Sequence, residues 1–572
     1  MASFLLGSVY APPLGLTTSS IVNNAASHLS AALHQVLEHG HSDFGDFAAN
    51  TSSVSITAVS TESDEDAPFF DFHFSSPFLN HTTDGTDRVA KNSIYRIGSI
   101  SKLFTIYTLL VGYGWEHWDN SVTRYVPELR DAASSGPHDP IGNADWNEIS
   151  IGDLASQLSG IGRAYANGDL ASQPLSWMEA GLPELSPKDI PHCAGNSSLP
   201  PCNRREYFQG LVQRHPVFAP QSTPVYSNAA FRILGYVLEA MGGASFSALL
   251  QSIVLKPLGL TDTSATLPTG NGSWVIPNGD SGWYDNYGDE APTGGVYSSS
   301  NDLAKFGRSI LLHKQLSALD TRRWMKPKSH TASLYFSVGS PWEIWRTRGQ
   351  VTSGRVVDLY TKSGSVGQYN SHLILIPDYG VAISILAAGS SSGSTISIMA
   401  EMVLQSLIPV LETRALNEAC RSLCGTYESA QASLNSSITI SADAEALYLR
   451  QWINRGVDVK SVAQAYAADT GSAPIKSFRL QATNLQDSLN VGGVTKGVRR
   501  VAYRAIFDTT IGNTSIAVPP RVLDTNSRQW DSVDSVMYGE VAFDDFVVHI
   551  DSNGTAVMIE PRVERDILRR LA

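Results

Sequence analysis

Several features that mark common function classes are scarce in this sequence. Basic residues are few and scattered: 41 Lys and Arg stand against 54 Asp and Glu, the formal charge is −13, and no basic cluster exceeds a pair or two. Nucleic acid and membrane surfaces are therefore not expected partners. Long apolar runs are missing too. The longest candidates, around Leu103–Leu110 and Val381–Ala388, fall well short of the roughly 20 residues that cross a bilayer, so a soluble chain is expected. There is no internal repeat at solenoid spacing and no low-complexity tract. His39-Gly40-His41 lacks the Cys or carboxylate spacing of a known metal site, so neither a metal nor any other cofactor is implied. No G-x-S-x-G elbow in a strand-turn-helix context supports a Ser-His-Asp hydrolase. Cysteine is rare: the four fall into two close pairs, Cys193 with Cys202 and Cys420 with Cys424, and are expected to form two local disulfides.

What is present describes a folded protein, with 42% hydrophobic and 17% charged residues. At 572 residues the chain exceeds what one core organises, since single cores stop growing near roughly 250–300 residues, so two units are expected. Seven Asn-x-Ser/Thr sequons, at Asn50, Asn80, Asn196, Asn271, Asn435, Asn513 and Asn553, lie in polar, turn-like stretches and, with the paired cysteines, point to the secretory pathway. Residues 1–18 are set apart as a candidate signal-peptide remnant, although no Lys or Arg precedes Arg88 to form a basic leader.

The period of Ile21, Ala25, Leu29, Leu33 and Leu37 predicts an amphipathic helix from Ser20 to Glu38. Alternation predicts strands over Val54–Val59 and Phe69–Phe74, and the nearly all-apolar Ser101–Tyr113 reads as a buried helix. Tyr125 to Asn228 reads as a loop-rich helical lobe, followed by a helix over Ala229–Met241. Val356–Tyr360, Ser371–Pro377 and Val381–Ala388 read as strands broken by Lys362–Gly367 and Pro377–Gly380, with a closing helix over Thr395–Val410. Residues 19–411 are thus expected to form one α+β domain, an antiparallel sheet flanked by helices plus a helical lobe. Short strand-like runs from Ser437 to Ile559 predict a second, antiparallel β-rich domain over 412–572.

Three short stretches carry chemistry. In Gly98-Ser99-Ile100-Ser101-Lys102, Ser99 and Lys102 sit at i and i+3 at a helix start, on one face. A lysine whose charged form is disfavoured by burial can take a serine's proton near neutral pH. Tyr226-Ser227-Asn228 follows a Pro-rich loop; a phenol beside an ammonium can relay protons, and Asn228 could hold Lys102 or a substrate amide. Tyr284-Asp285-Asn286 shares the Y-x-N form and reads as an ordinary turn. Lys362-Ser363-Gly364, taken to open a strand, is followed by Ser365, whose amide could join that of Ser99 around an oxyanion. Lys362 could hold an anionic substrate group or tune Tyr226.

S-x-x-K, Y-x-N and K-[ST]-G in this chain order resemble the serine β-lactamase and penicillin-binding family, with further similarity in DNSVTRYVPEL at Asp119, PLGLTDT at Pro257 and GGVYSSSNDLAKF at Gly294. The class C, D-aminopeptidase and esterase branch is the nearest, and the tail beginning GTYES at Gly425 is similar to a C-terminal domain that some relatives carry. The resemblance implies an acyl-enzyme at Ser99, with Lys102 and Tyr226 sharing acid and base work and Asn228, Lys362, Ser363, Gly364 and Ser365 around the substrate. A secreted hydrolase of a small ester or amide is the expectation, with lactams and D-peptides also compatible. An acyltransferase on the same scaffold and a non-catalytic binding protein are the alternatives, and the oligomeric state is open. Two departures stand out: many esterase-like relatives have His where Lys362 stands, and Gln157 replaces a His usual near Leu158-Ser159-Gly160.

Overall fold

The structure, a computed structural model, describes residues 7, 9–63, 67–79, 85–135, 139–172, 181–194, 199–270, 272–347, 355–443, 446–469, 474–488, 498–509 and 532–571. Helix α1 (Ser20–His39) buries Val22, Leu29, Leu33, Val36 and Leu37, and Gly40 ends it in the left-handed region, donating its N–H to the Val36 carbonyl. Strands β1 (Ser52–Ser60) and β2 (Phe70–Phe74) cover the two predicted strands and pair antiparallel. The short β3 (Ile94–Arg96) leads to helix α2 (Ser101–Tyr113) and pairs with β4 (Tyr297–Ser299). Helix α3 (Asn228–Gly242) follows the helical lobe, and α4 (Ser300–Leu311) follows β4.

Further strands are β5 (Ser329–His330), β6 (Phe336–Val338), β7 (Glu343–Arg346), β8 (Asp358–Val366), β9 (Tyr369–Ile376) and β10 (Val381–Gly389). The eight-stranded antiparallel sheet runs β2-β1-β10-β9-β8-β7-β6-β5. Every residue of β1 and β10 is buried, as strands covered on both faces must be. One core joins α2, α3 and α4 to the sheet; a second joins the opposite face to α1, α5 (Ser392–Leu423) and the C-terminal domain. Val9, Tyr10 and Leu16 are buried in that second core, so the early chain packs into the fold.

Three expectations need correction. Lys362, Ser363 and Gly364 lie inside β8, not at its start: Gly364 suggests a break, but it pairs with Ser371 in an unbroken register. The closing helix extends to Leu423 rather than Val410, carrying Pro409 within it. It is also long and apolar enough, by length and composition, to cross a bilayer, because helical continuity joins apolar segments that polar residues interrupt in sequence. Here it packs against α1, β9 and β10.

The C-terminal domain is a nine-stranded antiparallel sheet. Pairing of Ser437–Ala442 with both Gly425–Ser429 and Leu447–Asn454 closes eight of those strands into a barrel, with Val457–Asp458 as an outer strand. Trp452 fills it, in ring contact with Phe478, Phe543 and Phe546. Both disulfides are formed, Cys193–Cys202 and Cys420–Cys424.

Candidate active site

Ser99 lies in the single 3-10 turn Gly98–Ile100 that feeds α2, half-buried, with Lys102 fully buried one turn later. The Ser99 Oγ is 3.0 Å from Lys102 Nζ and 2.6 Å from Tyr226 Oη. Lys102 donates further to Asn228 Oδ1 at 2.8 Å and to the Thr293 carbonyl at 2.6 Å, so its three protons have three acceptors. Burial, opposed by Tyr226 and reinforced by the nearby Lys362 charge, brings the Lys102 ammonium down to about 8. Burial alone would push the Tyr226 phenol up; the charges of Lys102 and Lys362 and hydrogen bonds to Lys102 and Ser99 bring it below its ordinary value.

The stretch bearing Tyr226 is anchored from behind. Gln157, at φ 63°, accepts the Ser227 N–H at Oε1 (2.7 Å) and the Val225 N–H at its carbonyl (2.9 Å). Ser227 Oγ donates to the Gly162 carbonyl while capping α3 at the Ala230 N–H. The Arg163 carbonyl accepts from Asn228 and Ala229, and the Arg163 guanidinium stands 4.9 Å from the Tyr226 ring centroid. Gln157 is thus a scaffold for Tyr226.

Strand β8 supplies the third side. A Cβ on Gly98 would fall 2.6 Å from the Ser365 amide nitrogen, and one on Gly364 would fall 2.9 Å from that of Ser99. Only glycines at both positions let the two backbones approach, which brings the amides of Ser99 and Ser365 to the same side of the turn. Lys362, 1% exposed, forms an ion pair with Glu343, donates to the Ser363 carbonyl, and sits 5.4 Å from the Tyr226 ring centroid. Burial would raise the Glu343 carboxyl, but Lys362 holds it below its ordinary value.

A cavity of about 240 Å³ opens beside Ser99, lined among others by Arg163, Asn228, Thr293, Ser365 and Val366. Its outer wall includes Ala194, Pro201 and Cys202 from the disulfide loop.

All three motif stretches therefore converge. Thr293 and Glu343 were not legible in the sequence: a backbone acceptor has no residue signature, while Glu343 could have been suspected as a lone carboxylate between Trp342 and Ile344. A third Y-x-N, Tyr165-Ala166-Asn167, also occurs; Asn167 lines the cavity, yet it is Tyr226 whose hydroxyl meets Ser99. Contrary to expectation, a G-x-S-x-G stretch stands at a strand-to-helix junction, from Gly389 at the end of β10 to Gly393 in α5. Among the described residues no imidazole or carboxylate is hydrogen-bonded to the Ser391 side chain, so this turn lacks the base that an elbow serine needs. His41 pairs with Asp46 at an exposed site, and no metal-ligating group of three or more His, Cys, Asp or Glu occurs among the described residues.

The family model described as Beta-lactamase matches residues 79–401, and one described as Beta-lactamase-like-like, C-terminal domain, matches residues 415–572. A "Beta-lactamase-like protein" of Arthroderma benhamiae is 29% identical, the alignment covering 99% of this chain and 95% of that one. "Probable hydrolase M10" of a Phoma species is 25% identical over 77% of this chain and 72% of its own. A solved structure described as "A class C beta-lactamase" is 16% identical, covers 68% of this chain and 98% of its own, and gives a TM-score of 0.47. The match from 79 to 401 spans more than half of the sequence and takes in Ser99, Lys102, Tyr226, Asn228 and the β8 motif alike, so the chain belongs to the β-lactamase family.

Proposed function

We propose that the protein is a secreted serine hydrolase that cleaves a small ester or amide through an acyl-enzyme at Ser99. The observation that carries the reading is the single hydroxyl shared by two proton carriers, Tyr226 at 2.6 Å and Lys102 at 3.0 Å. In the first step Ser99 Oγ bonds to the acyl carbon and its proton passes to the Tyr226–Lys102 pair. The amides of Ser99 and Ser365 hold the oxyanion. Collapse breaks the bond to the leaving group, which takes the proton back. Water then adds to the acyl-Ser99 ester, again giving its proton to the pair, and the second collapse returns that proton to Ser99 Oγ and frees the acid.

Secretion is supported by two disulfides and the sequons. Asn435 and Asn553 are exposed, and Asn50 is half-buried with its amide donating to the Glu38 carbonyl. Asn80, Asn196, Asn271 and Asn513 lie outside the described residues. A domain division near residue 411 is part of this proposal; α5 runs through that residue and the first barrel strand begins at Gly425. The test is a fluorophosphonate probe: it should label the wild type and not Ser99→Ala, and equal labelling of both would remove the proposal.

A further inference from the structure

Lys362 has a cationic head but no free face. Its side chain is 1% exposed, it is absent from the residues lining the cavity beside Ser99, and its ammonium is held by the Glu343 carboxylate and the Ser363 carbonyl. Glu343 is fixed in turn: its second oxygen accepts the Ser363 N–H at 2.8 Å, so one carboxylate clamps both the side chain and the backbone of the motif. The nearest consumer of the lysine's field is Tyr226, whose ring centroid is 5.4 Å away. His372, opposite Ser363 in the register, is the other titratable group beside this pair. A buried cation with a buried counter-charge gains little from a further anion, whereas an unpaired one attracts it strongly.

The remaining charges do not make up for a withheld lysine. Arg232 in the cavity wall is paired with Asp289 and Glu290. Arg163 is exposed, with its guanidinium over the Tyr226 ring. Counting the lining, two arginines (Arg163 and Arg232) face three carboxylates (Asp285, Asp289 and Glu290). Lys102, the cation beside Ser99, is already shared among Ser99, Asn228 and Thr293, so a substrate carboxylate meets a cavity lining with one more carboxylate than arginines.

We propose that Glu343 is a positioning and specificity residue that withholds Lys362 from substrate, so that the site accepts neutral or cationic acyl compounds and disfavours those with a carboxylate beside the scissile bond. This deepens the reading of Ser99 as an acylated nucleophile and rests on it.

The test compares two nitrophenyl esters that differ only by a carboxylate on the acyl group, using the full chain. Wild type should prefer the neutral ester by about tenfold in kcat/KM; equal use, or preference for the carboxylated one, overturns the inference, and this arm needs no variant. Glu343→Gln should move the ratio towards the carboxylated ester by about tenfold, while Glu343→Asp, which keeps the charge, should retain most of the wild-type preference. An unchanged ratio in a Glu343→Gln protein that still takes the fluorophosphonate label overturns it as well. Loss of labelling in the wild type would instead remove the acyl-enzyme reading, so the two failures are distinguishable.

Discussion

Gly364 and Ser99 touch through their backbones: a Cβ added at Gly364 would stand 2.9 Å from the Ser99 amide nitrogen, inside any real contact distance. Gly98, at φ 49°, faces Ser365 in the same way at 2.6 Å. Alanine at either site must push β8 away from the 3-10 turn and separate the two amides proposed to hold the oxyanion. Gly98→Ala and Gly364→Ala are therefore expected to lower kcat on the order of 10²-fold or more, while KM for a small ester changes little. Steady-state kinetics on variants that retain the wild-type circular dichroism spectrum check this.

The pH dependence follows from the charges around Ser99. Burial holds the Lys102 ammonium near 8, and Lys102 and Lys362 together lower the Tyr226 phenol. The proton-accepting form accumulates as pH rises, so kcat/KM should climb with unit slope and level off above about 8, the apparent value belonging to the coupled pair. Lys362 lowers both groups; replacing it with Met removes that effect and should move the limb to higher pH. A limb that stays put or moves down would show that Lys362 does not tune the pair.

Glu564 supplies a stability prediction in the barrel. Burial pushes its carboxyl up to about 7, Trp452 donates to one oxygen, and the other has no partner among the described residues. A carboxyl raised in the folded state favours folding when protonated, so its contribution is intact below about 4.5 and is lost as pH rises to about 7. The loss is on the order of 3 kcal/mol. Glu564→Gln should match the wild-type Tm near pH 4.5 and exceed it at pH 8, as differential scanning calorimetry would report.

The disulfide loop walls the cavity through Ala194, Pro201 and Cys202, and the Cys202 carbonyl accepts from Arg232 at 2.8 Å. Removing the link by Cys193→Ser with Cys202→Ser loosens that wall without touching Ser99. KM should rise several-fold, with probe labelling of Ser99 retained at saturating probe.

Much of the site was legible because its chemistry is written in local spacing. Ser99 and Lys102 one turn apart at the head of an apolar run needed only helical geometry, and Ser227 in Tyr226-Ser227-Asn228 caps α3. Gly364 misled, because a glycine within a strand reads as a break unless the partner backbone that requires it is known. Glu343 lies 19 residues before Lys362, and only the pairing of β7 with β8 brings them together. Barrel closure was equally hidden: Gly425–Ser429 pairs with Leu568–Arg570 at the far end of the chain, a contact that no local pattern encodes. The helix Val459–Asp469 escaped notice among strands, since it buries only Val459 and Ala467 and carries a weak apolar stripe.

The most direct measurement is acid quenching during turnover of a slow nitrophenyl ester, followed by peptide mass mapping. An acyl mass on the peptide containing Ser99, absent after Ser99→Ala, is the predicted result. Turnover with no adduct there, or an adduct on Ser391 or another side chain, would contradict the account.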